Sequence, residues 1–92
     1  MKRISYKQNF KIYNREYYID RSGYFFIRTR LNPQLVCDIN GDNASHGERV
    51  ITYHMKHPPA DNQLWYEDAA TGTYRSKKNP NLCLAAGGML IK

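Results

Sequence analysis

The amino-acid sequence predicts an all-β fold built from a repeated unit, and three observations support this prediction. Apolar residues do not recur at the three- or four-residue spacing of an amphipathic helix. Short runs rich in Tyr, Phe, Ile and Val are separated instead by Asn, Gly, Pro, Asp and Ser, which is the pattern of strands and turns. Similar segments also recur about 47 residues apart, which is typical of a repeat architecture.

The apolar runs predict eight strands, at residues 3–7, 15–19, 24–29, 35–39, 49–54, 64–68, 73–77 and 82–85. The stretches between them are rich in Asn, Gly, Pro and Asp, and we interpret them as turns and loops. Strands that arrive every ~8–15 residues predict a small barrel or sandwich. A chain of 92 residues is enough for one small domain with a modest core.

The repeat defines how this single domain, residues 1–92, is divided. Three pairs of segments match in the same order along the chain: 27–35 with 74–82, 14–20 with 62–68, and 4–7 with 51–54. The unit boundary falls near Gly23 and Gly72. The expected division is therefore a half unit at 1–20, a complete unit at 21–68 and a half unit at 69–92.

Composition excludes several classes of protein. The two cysteines, Cys37 and Cys83, are too few for a disulfide scaffold and lack the spacing of a zinc site. No apolar run approaches the length of a membrane span. The first ten residues lack the apolar core of a signal peptide, so the chain looks cytosolic or already processed, and its compartment stays open.

The sequence offers no candidate for catalysis, for a metal site or for a cofactor. It contains no activated Ser or Cys arrangement and no phosphate-binding loop, so we expect no enzyme activity. Asp38, Asn40 and Asp42 alternate as in a calcium loop, but the glycine is misplaced and Arg49 stands where the final Glu is needed. The histidines lack supporting ligand spacing and are expected in exposed loops: His46, His54 and His57.

The triplet Gln63-Leu64-Trp65 closes the complete unit in the segment ADNQLWYED. Together with the unit YFFIRTRLNPQLVCDINGDNASHGERVITYHMKHPPADNQLWYED at 24–68, it resembles the ricin B-type lectin repeat, whose signature is Q-x-W. The resemblance implies an incomplete set of β-trefoil-like repeats, about two units in permuted register. It also implies that Trp65 is the unit's core plug and that Gln63 hydrogen-bonds backbone in the preceding turn.

The same resemblance implies a carbohydrate-binding lectin module of the galactose or N-acetylgalactosamine type, with one shallow site in residues 21–68. Its sugar-binding residues would be Asp38, Tyr53, Asn62 and Gln63. Asp38 would accept bonds from two sugar hydroxyls, Tyr53 would stack under the ring, and Asn62 would bond a further hydroxyl. Asp38 alternates with the apolar residues of its strand, so we expect it to point outward. The last half unit has Ala85 at the Asp38 position, and no site is expected there.

Two other functions stay open at this point. Net charge is +6, and a basic stripe could bind a sulfated glycan or another polyanion: Arg28, Arg30, Arg75, Lys77 and Lys78. Alternatively, the chain is a structural interaction module that binds no sugar. Because an incomplete set of units leaves strand edges unpaired, we also expect a homo-oligomer or a fragment of a longer chain.

Overall fold

The computed structural model describes residues 13–14 and 23–92 of the chain. In this part of the chain it contains eight strands: β1 (Tyr13–Asn14), β2 (Arg28–Thr29), β3 (Leu35–Ile39), β4 (Val50–His54), β5 (Trp65–Asp68), β6 (Thr73–Ser76), β7 (Cys83–Ala85) and β8 (Met89–Ile91). Two short 3-10 turns, η1 (Asn40–Asp42) and η2 (Asp61–Gln63), are the only helical elements within these described ranges. No helix among the described residues is long and apolar enough to cross a membrane.

The strands form two antiparallel four-stranded sheets, in the order β1-β2-β3-β4 and β5-β6-β7-β8. The sheets join where the backbones of Phe25 and Trp65 exchange two hydrogen bonds, at 2.9 and 3.0 Å. A second bridge pairs Arg49 with Met89. The eight described strands do not close these sheets into one barrel.

Most of the predicted strands are present with shifts of one or two residues. The predicted strand at 24–29 is interrupted, because Phe25 pairs with the second sheet whereas Arg28 and Thr29 pair within the first. The sequence did not predict β1 or β8, which have only two and three residues. Elements this short carry too little alternation to be recognised. The strands predicted at 3–7 and 15–19 lie outside the described residues.

The core lies between the two sheets and is centred on Trp65, which is fully buried. The Trp65 indole Nε1 donates to the backbone carbonyl of Cys37 at 3.2 Å, so its one polar atom is satisfied. The main cluster combines residues of both sheets: Phe25, Ile27, Cys37, Ile39, Trp65, Tyr74, Leu82, Leu84 and Leu90. A smaller cluster lies on the other face of β3: Phe26, Val36 and Leu64. Trp65 thus fills the core as predicted.

The turns at 29–35 and 76–82 are stabilised by the same hydrogen bonds. In the first, Thr29 Oγ1 accepts from Asn32 N at 3.1 Å and Asn32 Oδ1 accepts from Gln34 N at 3.2 Å. In the second, Ser76 Oγ accepts from Asn79 N at 3.1 Å and Asn79 Oδ1 accepts from the backbone amide at position 81 at 3.2 Å. Hydroxyl and amide side chains bond nearby backbone readily, which explains why both sequences carry Ser or Thr three residues before Asn-Pro.

Candidate functional site

A cleft of about 260 Å³ opens between β3, η1, β4 and η2. Its lining combines carboxylates, amides, one ammonium and one aromatic ring: Asp38, Asn40, Gly41, Asp42, Ile51, Tyr53, Lys56 and Asn62. Three of the four predicted site residues therefore come together at one place, although they are up to 24 residues apart in sequence. The chemistry of the lining suits a small polar ligand with one apolar face.

Asp38 lies in the base of this cleft, and the expectation that it is outward-facing is wrong. Strand alternation does put it on the opposite face of β3 from Cys37 and Ile39, as predicted. That face is covered by η2, however, so only 4% of Asp38 is exposed. No local sequence pattern indicates this cover, because η2 is separated from β3 by more than twenty residues.

Amide groups of η2 fix the orientation of the Asp38 carboxylate. Gln63 Nε2 donates to Asp38 Oδ2 at 2.8 Å, and Asn62 Nδ2 donates to Asp38 Oδ1 at 3.2 Å. The ammonium of Lys56 lies 3.8 Å from Asp38 Oδ2. An ionised carboxylate offers about four acceptor positions, so these contacts leave capacity for hydroxyl donors in the cleft. The contacts therefore hold the Asp38 carboxylate in one orientation in the cleft.

Gln63 is fully buried, and both the nitrogen and the oxygen of its side-chain amide make hydrogen bonds. Its Nε2 also donates to the carbonyl of His54 at 2.8 Å, and its Oε1 accepts from the backbone amide of Lys56 at 2.9 Å. The Gln63 side chain therefore fixes the backbone that follows β4, which is the backbone role implied by the resemblance. The bond from Gln63 orients the Asp38 carboxylate, and Gln63 itself does not line the cleft.

Tyr53 forms the aromatic wall of the cleft and is 49% exposed. The ring of His54 contacts it in an edge arrangement, with centroids 5.9 Å apart and planes at 74°. The Lys56 ammonium lies 5.8 Å from the Tyr53 ring centroid. Tyr53 is thus held from the side by His54, and half of its surface is open to a stacking ligand.

Sequence reasoning missed Lys56 and the residues of η1 as parts of the cleft. Lys56 follows the end of β4, so strand alternation gives no information about its direction; the bond from Lys56 N to Gln63 turns this backbone toward η2. Its ammonium donates to Asn62 Oδ1 at 3.4 Å. In η1, Gly41 and Asp42 have φ angles of 64° and 59°. The Asn-Gly-Asp sequence was the available signal, since these residue types tolerate the left-handed region.

The described residues contain no cluster of metal-binding side chains, and their two cysteines are buried. Among residues 23–92, no group of three His, Cys, Asp or Glu side chains could hold a metal ion. Burial, and secondarily the charge of Asp38, raises the pKa of the Cys37 thiol to about 12. A thiol with this pKa is protonated at neutral pH and is a poor nucleophile. Cys37 and Cys83 are both buried and free.

The predicted basic stripe is largely neutralised by carboxylates. Arg75 Nε donates to Asp68 Oδ2 at 2.7 Å, and this bond both lowers the pKa of Asp68 and raises that of Arg75. Two other members of the stripe also lie beside acidic residues: Lys77 is 3.4 Å from Asp61, and Lys78 is 3.0 Å from Asp42. Pairing reduces the positive potential that a polyanion would meet.

The solved structures that this chain resembles include lectin domains. The C-half of the earthworm R-type lectin, solved in complex with GalNAc, matches 76% of this chain at 37% identity with a TM-score of 0.64. A mutant of the earthworm lectin C-terminal domain, solved with 6'-sialyllactose, matches 63% at 44% identity with a TM-score of 0.54. A mosquitocidal holotoxin matches 86% at 19% identity with a TM-score of 0.63, which shows the fold alone.

Sequence comparison is more limited. No family model matches the chain. Tectonin-2 of Physarum polycephalum is 46% identical over 46 residues, which are 50% of this chain and 12% of that protein. The chain also spans only about half of the earthworm domains, 54% and 44% of their lengths. The described residues thus have an all-β, β-trefoil-type fold whose structural neighbours are R-type, ricin B-like lectin domains.

Proposed function

We propose that this chain is a carbohydrate-binding lectin module that binds galactose or N-acetylgalactosamine in the cleft around Asp38. One observation carries the proposal: a carboxylate oriented by two amides lines the same cleft as a half-exposed aromatic ring. Sugars present hydroxyl groups on one side and an apolar C–H face on another, and this cleft offers a partner for each. The GalNAc complex of the earthworm lectin, which shares the fold, supports the sugar class.

Asp38 is the central acceptor in this proposal. Its two oxygens are already aligned by Gln63 and Asn62, so two neighbouring hydroxyls can donate to it without reorganising the side chain. Hydrogen bonds to a charged acceptor are roughly twice as strong as neutral ones. Because the carboxylate is pre-oriented, little conformational entropy is lost when the sugar binds.

Lys56 and Asn62 complete the polar contacts. The Lys56 ammonium has three donors, and its contacts to Asn62 and Asp38 are long, at 3.4 and 3.8 Å. A hydroxyl oxygen placed between these groups can therefore accept from Lys56 without breaking a short bond. Asn62 would exchange its 3.4 Å contact with the Ile39 carbonyl for a hydroxyl. Gln63 acts indirectly, by holding Asp38.

Tyr53 would stack beneath the apolar face of the sugar. Its phenol ring offers less area than an indole, and Ile51 provides no polar group beside it. A single shallow site with these few contacts predicts a dissociation constant in the ~mM range. Useful avidity would then depend on several copies binding together.

Self-association supplies such copies, and we include it in the proposal. In the part of the chain that the structure describes, the two sheets have open edges, and open strand edges pair readily with other strands. A homo-oligomer would cover these edges and present several clefts. Binding of a sulfated polyanion is less favoured, because Arg75, Lys77 and Lys78 already lie beside carboxylates. A purely structural module is also less favoured, because it does not account for a carboxylate that two amides orient in a cleft.

A glycan array followed by free-sugar competition tests the function. We expect binding to galactose-terminated glycans that free galactose or GalNAc competes away. Neutral-sugar affinity should change little between ~50 and ~200 mM salt, whereas polyanion binding would fall steeply. Retention on charged glycans alone, with a steep salt dependence, would replace the lectin proposal by the polyanion alternative.

A further inference from the structure

Two turns with the same internal bonds have different surroundings. The second turn, residues 76–82, is docked on the loop between β3 and β4. Asn79 Nδ2 donates to the carbonyl of Ala44 at 3.1 Å, and Lys78 Nζ contacts Asp42 Oδ2 at 3.0 Å. One repeat therefore attaches to the β3–β4 loop of the repeat before it through two adjacent residues.

The first turn, residues 29–35, has the same internal bonds but no such neighbour among the described residues. Leu31 corresponds to Lys78 and Asn32 to Asn79, at the constant offset of 47. Leu31 is 101% exposed, and Asn32 is also exposed. Asn32 Oδ1 makes the internal bond of the turn, but its Nδ2 donates to no acceptor in the described part of the chain. This turn therefore carries the residues of the contact, but they meet no partner within residues 23–92.

A counterpart of the β3–β4 loop also occurs later in the chain. The turn joining β7 to β8, residues 86–88, corresponds to the β3–β4 loop, because β7 and β8 pair as β3 and β4 do. Ala86 and Gly87 are exposed, and a Cβ added at Gly87 would meet nothing within 4 Å. This turn is small and apolar where the β3–β4 loop carries Asp42. Leu31 is apolar, as this turn is, whereas Lys78 is opposite in charge to Asp42.

We infer that the first turn of one copy docks on the β7–β8 turn of a second copy of this chain. Leu31 covers Ala86 and Gly87, and Asn32 Nδ2 donates to a backbone carbonyl of that turn, repeating the internal contact between copies. This inference rests on the self-association proposed above and does not depend on sugar binding. Because the two surfaces differ, the contact is head-to-tail and builds rings or open chains.

Sedimentation equilibrium of the full chain from ~10 μM to ~1 mM tests this contact. Asn32→Asp keeps the oxygen that the turn needs and removes the donor, and Leu31→Asp removes the apolar contact at a fully exposed position. We expect each to weaken association roughly tenfold, the scale of one lost interfacial bond or side chain. Ala69→Asp adds the same charge on another exposed turn and should leave association unchanged.

Disulfide trapping distinguishes the possible failures. A mixture of Leu31→Cys chains and Ala86→Cys chains should form a covalent dimer under mild oxidation, and neither chain alone should. The native cysteines are buried and do not compete. Association that resists both Asp variants, or trapping of Leu31→Cys chains with themselves, overturns the docking contact and leaves self-association standing. A monomer up to ~1 mM overturns both, without bearing on the lectin site.

Discussion

The two segments that the sequence predicts to be a first and a second repeat, 21–68 and 69–92, share a turn, but the cleft lies in the first. Residues 29–35 and 76–82 have the same hydrogen bonds, to within 0.1 Å in three corresponding pairs. Where the first repeat has Asp38, the second has the buried methyl group of Ala85. In β4, Tyr53 pairs with Val36, two residues before Asp38; in β8, Ile91 pairs with Cys83, two residues before Ala85.

The loops that follow these strands differ as well. Ten residues join β3 to β4, and they include η1, which forms one wall of the cleft. Only residues 86–88 join β7 to β8. Turn and core residues therefore specify the fold in both repeats, whereas the cleft requires an acid, an aromatic ring and a longer loop together. A repeat can lose all three without losing its fold.

The largest effect is expected from placing an acid in the second repeat. Ala85→Asp would bury a carboxylate in packing built around a methyl group, and a buried charge without amide partners costs several kcal/mol. We predict a loss of about 3–5 kcal/mol in the free energy of unfolding and no gain of sugar binding. Urea unfolding measures the first quantity; Ala85→Ser is the matched small polar control. A stable, sugar-binding Ala85→Asp variant would show that the acid alone makes the site.

In the first repeat, Asp38→Asn should abolish measurable sugar binding. The substitution keeps the size of the side chain but removes the charge, and two hydroxyl bonds to a charged acceptor are worth roughly 100-fold in affinity. Asp61→Asn removes an exposed carboxylate that does not line the cleft and is the control. Because Asp38 also accepts from Gln63, unfolding must be measured alongside binding. Full sugar affinity in a folded Asp38→Asn variant would contradict its role.

A smaller effect is expected at the aromatic wall. Tyr53→Ala should weaken sugar binding by about 1–2 kcal/mol, the scale of a lost stacking surface, and leave stability nearly unchanged because the ring is half exposed. Tyr53→Phe keeps the ring and should retain most of the affinity, and Tyr53→Trp should improve it. Isothermal titration with GalNAc checks all three variants. Equal affinity for Tyr53→Ala and Tyr53→Phe would exclude stacking.

The smallest effect concerns the charge pair of the second repeat. Hydrogen bonds from Arg75, and then from Thr71, hold the pKa of Asp68 below its usual value. A lowered folded-state pKa contributes stability that is fully present above the unfolded pKa of about 3.9 and is lost as pH falls through the folded value. Asp68→Asn should therefore flatten the pH dependence of unfolding below about pH 4. Urea unfolding of both proteins between about pH 2 and pH 6 measures this difference, and an unchanged pH dependence in the variant would contradict the prediction.

Much of this structure was predictable from sequence, for identifiable reasons. Local signals gave the strands, since alternation and turn residues act within a few positions, and the repeat related Asn32 to Asn79. The burial of Asp38 was not predictable, because it depends on η2 folding over β3 from more than twenty residues away. Lys56 was missed for the same reason: its direction is set by the long-range bond between its backbone amide and Gln63.

NMR titration of the labelled chain with GalNAc shows whether a sugar site lies in the first repeat and not in the second. We expect saturable shifts at Asp38, Tyr53, Lys56 and Asn62, with a dissociation constant in the ~mM range. Ala85 and Ile91, at the equivalent positions, should not shift. Shifts centred on the second repeat, or none anywhere at ~50 mM sugar, would contradict the claim.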